Sequence, residues 1–389
     1  MNGRRRATIA AGLATAATLA LSGAVTPMAA ADRASTAPDA VPRGGRTVYV
    51  TNSARDGGDP NVARFAINNA GTLNPVDTAR GGRGAHGMVF TPDLRYAYLA
   101  APDVDQIHMY RIRPDGSLNP FGAVETPGPG AIAIAPNGRT IYVSNADTRM
   151  VSVFAVRSDG GLAARGAVDT GAEAAKVIAV TPDGRFLYVS HGLPTDTKPS
   201  VLTGFALGPD GSVGREVARA TIGISGSGTV ITPNGRFVYV VNQASNDMHG
   251  FRIGGDGSLT PVPGSPVDGG DFPGGAAVSP DGRRLYVSAL GVENGDIAFP
   301  GQVLGFTIGN DGRLTENIDR VDMTSPTGIG FTPDSRRMYV SDYTDSIVNT
   351  FIVAPDGNLT LIQTLPSGGP QPAFHSVNVL PTRSERTPR

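Results

Sequence analysis

Seven short apolar runs, each built around a tyrosine, punctuate the chain. They are Val48-Tyr49-Val50, Ala97-Tyr98-Leu99, Ile141-Tyr142-Val143, Leu187-Tyr188-Val189, Val238-Tyr239-Val240, Leu285-Tyr286-Val287 and Met338-Tyr339-Val340, most of them continuing into Ser, Thr, Asn or Asp. The tyrosines are 49, 44, 46, 51, 47 and 53 residues apart and make up seven of the ten in the chain. Runs this short, apolar on both faces, read as strands covered on both sides. A Pro-Asp or Pro-Asn turn precedes each later copy, at Pro92, Pro136, Pro182, Pro233, Pro280 and Pro333, and four of these continue with Gly-Arg, as in Pro182-Asp183-Gly184-Arg185. Proline presets the first turn dihedral, and glycine takes the positive φ that returns the chain. A second tight turn follows about 20 residues after each tyrosine, as in Asp115-Gly116-Ser117-Leu118 and Asp256-Gly257-Ser258-Leu259, the first copy being Ala70-Gly71-Thr72-Leu73. The repeat unit is therefore strand, tight turn, tyrosine strand, loop, strand, tight turn, strand.

Seven such units of 44–53 residues predict an all-β fold: a seven-bladed β-propeller with four-stranded antiparallel blades. Small apolar stretches such as Ala131-Ile132-Ala133-Ile134 and Val177-Ile178-Ala179-Val180 suit innermost strands crowded around an axis. The repetitive body begins near Arg46 on a tyrosine strand, with no innermost strand before it. That strand is supplied by His375-Ser376-Val377-Asn378-Val379-Leu380-Pro381, so the two ends of the body share blade one and the ring closes without a free edge. The expected propeller spans 46–381.

Composition narrows the functional classes. The 33 basic and 34 acidic residues give a formal charge of −1, which argues against nucleic-acid binding. The absence of cysteine excludes disulfides, thiolate metal sites and a cysteine nucleophile. Ring closure then has to supply the stability that disulfides would give. Arg4, Arg5 and Arg6, an uncharged Ala/Leu/Gly/Thr-rich stretch and Ala29-Ala30-Ala31 predict a signal peptide over 1–31. The double-arginine start also permits the twin-arginine route. Export to the cell envelope or medium follows as an expectation, with no membrane span after processing. Residues 32–45 read as a flexible linker and 382–389 as a disordered tail.

The tyrosine strands, the P-D-G-R turns and the D-G-S-L turns together resemble the seven-bladed lactonase family, which includes propeller-type 6-phosphogluconolactonases, carboxymuconate-lactonizing enzymes and YVTN-repeat surface proteins. The resemblance covers about 46–381. It implies a lactone or sugar-acid ligand and a hydrolase or cyclase activity, and His375 in Phe374-His375-Ser376-Val377 resembles the family's strand-opening histidine. In blade five, Ser227 and Gly228 stand where the family carries Arg and His, and Gln243 stands where it carries an acid. These departures keep open a second reading, a non-catalytic propeller that binds a small molecule, a cell-wall component or a protein.

The two tight turns of each blade share one face, and the variable loops share the other. Long loops at 53–60, 192–200 and 290–301 place the expected site at the channel mouth on the loop face. One position, six residues before the proline of each innermost strand, opens onto that mouth: His375, His86, Gly130, Lys176, Ser227, Gly274 and Thr327. Paired imidazoles beside a cation suit activation of water and stabilisation of an oxyanion, so His375, His86 and Lys176 are the candidate catalytic residues. Arg83, His191 and Gln243 are the candidate substrate-binding residues, Arg83 for a carboxylate. Gly82-Arg83-Gly84-Ala85-His86-Gly87 matches G-x-G-x-x-G but precedes no helix, so it does not predict a dinucleotide site. Asp342, Asp345, Glu293 and Asp296 read as turn formers in preference to cation ligands. His108 and His249 read as packing or surface residues. No cofactor, no metal and a monomer are expected.

Overall fold

The computed structural model describes residues 46–293, 296–297 and 300–380. The expected signal peptide and linker (1–45) and tail (382–389) lie outside the described residues, as does Pro381. Among the described residues seven antiparallel blade sheets follow one another, each running inner strand, tyrosine strand, third strand, outer strand, and a two-stranded ribbon, Val292–Glu293 with Asp296–Ile297, is added after the tyrosine strand of blade six. Blade four shows the pattern plainly: Ala175–Val180, Phe186–His191, Val201–Leu207 and Val213–Thr221. In blade five the outer strand is split into Leu259–Pro261 and Val267–Asp268. The prolines at 261, 263 and 266 withhold the ladder donors that would join the two parts. Blade one is completed by the last described strand, Pro372–Leu380, which pairs with Thr47–Asn52 in the register Thr47↔Leu380, Val48↔Val379, Tyr49↔Asn378, Val50↔Val377. The fold is the seven-bladed propeller that the repeats predict. Among the described residues no helix is long and apolar enough to cross a membrane.

The core lies between blades. Each of the seven hydrophobic clusters among the described residues is shared by two neighbouring sheets, and one of them, with Val48, Val50 and Phe65 against Tyr339 and Val348, joins blade one to blade seven. A sheet covered on both faces has no use for polar/apolar alternation, and for that reason the tyrosine strands read as continuous apolar runs.

The two sequence motifs meet in one repeated bond. Each tyrosine donates its hydroxyl to the glycine carbonyl of the outer tight turn in the next blade: Tyr49 to Gly116, Tyr98 to Gly160, Tyr142 to Gly211, Tyr188 to Gly257, Tyr239 to Gly312, Tyr286 to Gly357 and Tyr339 to Gly71, at 2.5–2.9 Å. The last of these crosses from blade seven back to blade one. All seven glycines hold φ between +81° and +100°, a conformation costly for any residue with a Cβ. Burial raises every one of these hydroxyls above the ordinary phenol value, Tyr142 to about 12. Arginines after the inner turns reach the same neighbouring turns, Arg185 bonding Gly255 O at 2.7 Å, Arg236 bonding Asn310 O at 3.0 Å and Arg337 bonding Ala70 O at 3.0 Å. Arg185 and Arg236 also lie over the rings of Phe186 and Phe237.

Removing one hydroxyl leaves a buried carbonyl unpaired, a loss of about 1–2 kcal/mol. Tyr188→Phe should therefore lower the urea midpoint at unchanged slope. Tyr96→Phe, whose hydroxyl makes two long contacts of 3.3 Å, donating to Ser158 O and accepting from Arg95 Nη2, should cost less than half as much.

Candidate functional site

The position counted six residues before each inner-strand proline coincides with a break in the sheet register. In blade three Pro129 faces Asn145 and Ala131 faces Ser144, so Gly130 is the extra residue. Lys176, Ser227 and Gly274 are skipped in the same way in blades four, five and six. In blade seven Thr327 and Gly328 together face Ser341. Blade one carries the largest irregularity: between Pro372↔Asn52 and Val377↔Val50, four residues (373–376) face Thr51 alone. Blade two opens on His86, whose N–H reaches Ala100 O at 3.2 Å before regular pairing starts at Met88. A bulge turns its extra residue out of the ladder. Here the bulges ring the axis at the start of the inner strands, on the loop face.

Of the six sequence-predicted site residues, four belong to this arrangement. His86 is held by its neighbours: Nδ1 lies 3.0 Å from Gly130 O and therefore carries the proton, which leaves Nε2 as the acceptor for Arg55 Nη2 at 3.2 Å. Burial pulls its pKa down to about 3, aided by the Arg55 charge and, more weakly, by His375 and Lys176. Lys176 donates to Ser225 Oγ at 2.9 Å and to Gln243 Oε1 at 2.8 Å, which leaves one of its three N–H bonds for a ligand. Burial lowers its pKa to about 7, against a small opposing pull from Asp196. Gln243, only 4% exposed, thus serves as the acceptor that fixes the ammonium group. Burial also lowers the His375 imidazole, while the Ser227 backbone carbonyl opposes the shift. His375 Nε2 is buried without a hydrogen-bond partner, and the residue sits at φ +59° on the blade-one bulge. As whole residues, His86, Lys176 and His375 are half-buried.

The other two predicted residues lie elsewhere. Arg83 gives its guanidinium to Ala54 O and, at 3.1 Å, to Gly58 O, so it ties its connector to the blade-one loop. His191 lines a cavity with Glu173 and with Asp196, Lys198 and Ser200 of the 192–200 loop. It is 2% exposed, with Nε2 at 2.9 Å from Thr203 Oγ1 and Nδ1 at 3.2 Å from Glu173 O. It does what the asparagines at the same place do in other blades, such as Asn145 bonding Ser152 Oγ at 2.9 Å and Asn242 bonding Asp247 Oδ1 at 2.7 Å. Two residues of the site were missed. Arg55 comes from the long 53–60 loop, whose length was the available signal. Ser225, at φ +64°, has no such signal.

The remaining constellations are structural. Asp342 accepts from Ser325 N at 2.7 Å and Asp345 N at 3.2 Å, and Asp345 accepts from Thr324 Oγ1 at 2.6 Å. The side chains of Glu293 and Asp296 lie outside the described set. No cluster of three or more potential metal ligands occurs among the described residues. His108 packs against Gly82, and His249 stacks on Phe251.

The architecture is shared with solved structures. A periplasmic gluconolactonase of Pseudomonas aeruginosa is 18% identical over 87% of this chain and 99% of its own, with a TM-score of 0.69. A putative 6-phosphogluconolactonase of Bacteroides fragilis is 18% identical over 89% and 99%, with a TM-score of 0.70. A second putative 6-phosphogluconolactonase, from Bacteroides uniformis, is 19% identical over 87% and 100%, with a TM-score of 0.71. Residues 44–267 match the family described as "Lactonase, 7-bladed beta-propeller". The chain belongs to the seven-bladed β-propeller lactonase family.

Proposed function

We propose that the protein is a lactonase-like hydrolase that opens the ring of a sugar-acid lactone at the loop-face end of the channel. The observation that carries this reading is that one ring of bulges holds His375, whose Nε2 is unpartnered, and Lys176, an ammonium whose third N–H is unspent, with His86 feeling the charge of both. In this scheme His375 Nε2 takes a proton from water as the water oxygen attacks the lactone carbonyl carbon. The carbonyl oxygen becomes an oxyanion that accepts from Lys176 Nζ. Collapse breaks the ring C–O bond, and the His375 imidazolium returns the proton to the leaving alkoxide, giving the open hydroxy acid. His86, locked as the Nδ1–H tautomer between Gly130 and Arg55, orients Arg55 at the mouth, where a guanidinium attracts the acid product or an anionic substituent.

The family membership supports the reaction class, and the gluconolactonase activity named for the Pseudomonas relative supports the sugar-acid choice. The arginine-led apolar segment over 1–31 supports export. A second reading, ligand binding without turnover, is favoured by one observation: blade five has Ser227, Gly228 and Gln243 in place of the family's Arg, His and acid.

Hydrolysis of glucono-lactone by the purified protein tests the first reading against the second. His375→Ala should reduce kcat by about 10²–10⁴-fold and Lys176→Met by about 10²–10³-fold, each in a protein that still melts cooperatively. Absence of turnover across a panel of sugar lactones by a folded protein would leave the binding reading.

The pH profile gives a separate check. The base works when His375 is neutral, above a pKa set below the ordinary imidazole value. The oxyanion donor works when Lys176 is charged, below about 7. kcat/KM should therefore be bell-shaped with its alkaline limb near pH 7, and Lys176→Arg should move that limb upward, because guanidinium stays protonated.

A further inference from the structure

The groups around the channel are unequal in what they can offer a ligand. Ser227 spends its hydroxyl on Pro273 O at 2.8 Å and Thr327 spends its own on Pro372 O at 2.9 Å. Gly130 and Gly274 present no side chain. Phe374 is different. It lies next to His375 on the four-residue bulge of blade one, and its ring is half-buried and belongs to none of the seven interblade clusters among the described residues.

The position of that ring follows from blade six. A Cβ on Gly274 would overlap Cε1, Cζ and Cδ1 of Phe374, so the phenyl group occupies the space that a side chain at 274 would otherwise fill. The bulge thus sends Phe374 across the channel to blade six and turns His375 toward the Ser227 carbonyl of blade five. An aromatic ring kept out of the core, half-covered and beside a buried base, is surface aimed at a ligand. Its face is electron-rich and prefers a C–H surface. A closed saturated sugar ring has a fixed face of axial C–H bonds. The open-chain acid formed by hydrolysis does not.

We infer that Phe374 is the platform on which the closed ring of the ligand stacks, and that Gly274 is kept without a side chain to seat it. The class of ligand rests on the lactonase reading. The platform discriminates substrate from product: ring opening removes the stacked face, and the acid is released.

The test is calorimetric titration of the whole protein with gluconolactam, a closed ring that resists hydrolysis, and with gluconate, its open-chain counterpart. Phe374→Ala should weaken lactam binding about tenfold and change gluconate binding less than twofold. Phe374→Tyr should restore lactam binding, which separates loss of the platform from loss of folding. Gly274→Ala, which must displace the ring, should mimic Phe374→Ala, and the double variant should bind no more weakly than Phe374→Ala alone. Equal lactam affinity in wild type and Phe374→Ala, parallel loss of both ligands, or a wild type that ignores the lactam would overturn the inference. Phe374-dependent lactam binding by a protein that turns over no lactone would overturn the lactonase reading and leave the platform standing.

Discussion

Everything else in this molecule depends on a hydrogen bond made seven times, from a tyrosine in one blade to a turn glycine in the next. Separate sheets packed face to face are free to slide, because dispersion and burial are non-directional. The hydroxyl-to-carbonyl bond fixes how far each sheet is rotated and displaced against its neighbour. It can exist only where the turn backbone takes a positive φ, so it links tyrosine and glycine in the sequence as a pair. The seventh copy, Tyr339 to Gly71, and the pairing of Pro372–Leu380 with Thr47–Asn52 close the circle from two directions, one by side chain and one by backbone. A chain without cysteine gains from this closure the restraint on its ends that a disulfide would otherwise provide.

A rigid ring of this kind determines where chemistry is placed. With the tight-turn face committed to bonds between blades, the opposite ends of the inner strands are free to depart from regular pairing, and they do so at equivalent positions around the axis. A bulge weakens its ladder locally, and the neighbouring blades compensate: Ser144 Oγ donates to Lys176 O at 2.8 Å and Ser288 Oγ to Thr327 O at 2.7 Å. The bulge residues are thus placed by backbone geometry, which holds them more firmly than a surface loop would.

The repeat spacing, the two turn motifs and the missing first strand made the fold legible in the sequence, because each is a local consequence of the same blade geometry. The ring of channel positions was legible for the same reason, since a fixed count from proline survives any change in loop length. Residue roles were less so. Arg83 and Arg55 look equivalent in sequence, yet Arg83 turns back onto Ala54 and Gly58 while Arg55 reaches His86. His191 differs from the asparagines of the other blades in chemistry, but its place beside the third strand lets it substitute for them as an internal hydrogen-bonding group. The reach of Phe374 to Gly274 joins residues a hundred positions apart, and no local pattern encodes it.

The blade-five departures take on a different meaning once Lys176 is seen against Gln243. A carboxylate at 243 would form an ion pair with the ammonium and hold its pKa high, whereas the neutral amide accepts the same hydrogen bond without adding charge. Desolvation then acts almost unopposed, since Asp196 is the one charge that pulls the other way. Burial alone thus leaves the lysine with a pKa of about 7. Glutamine at 243 therefore leaves Lys176 as the titrating member of the pair, held by a neutral acceptor.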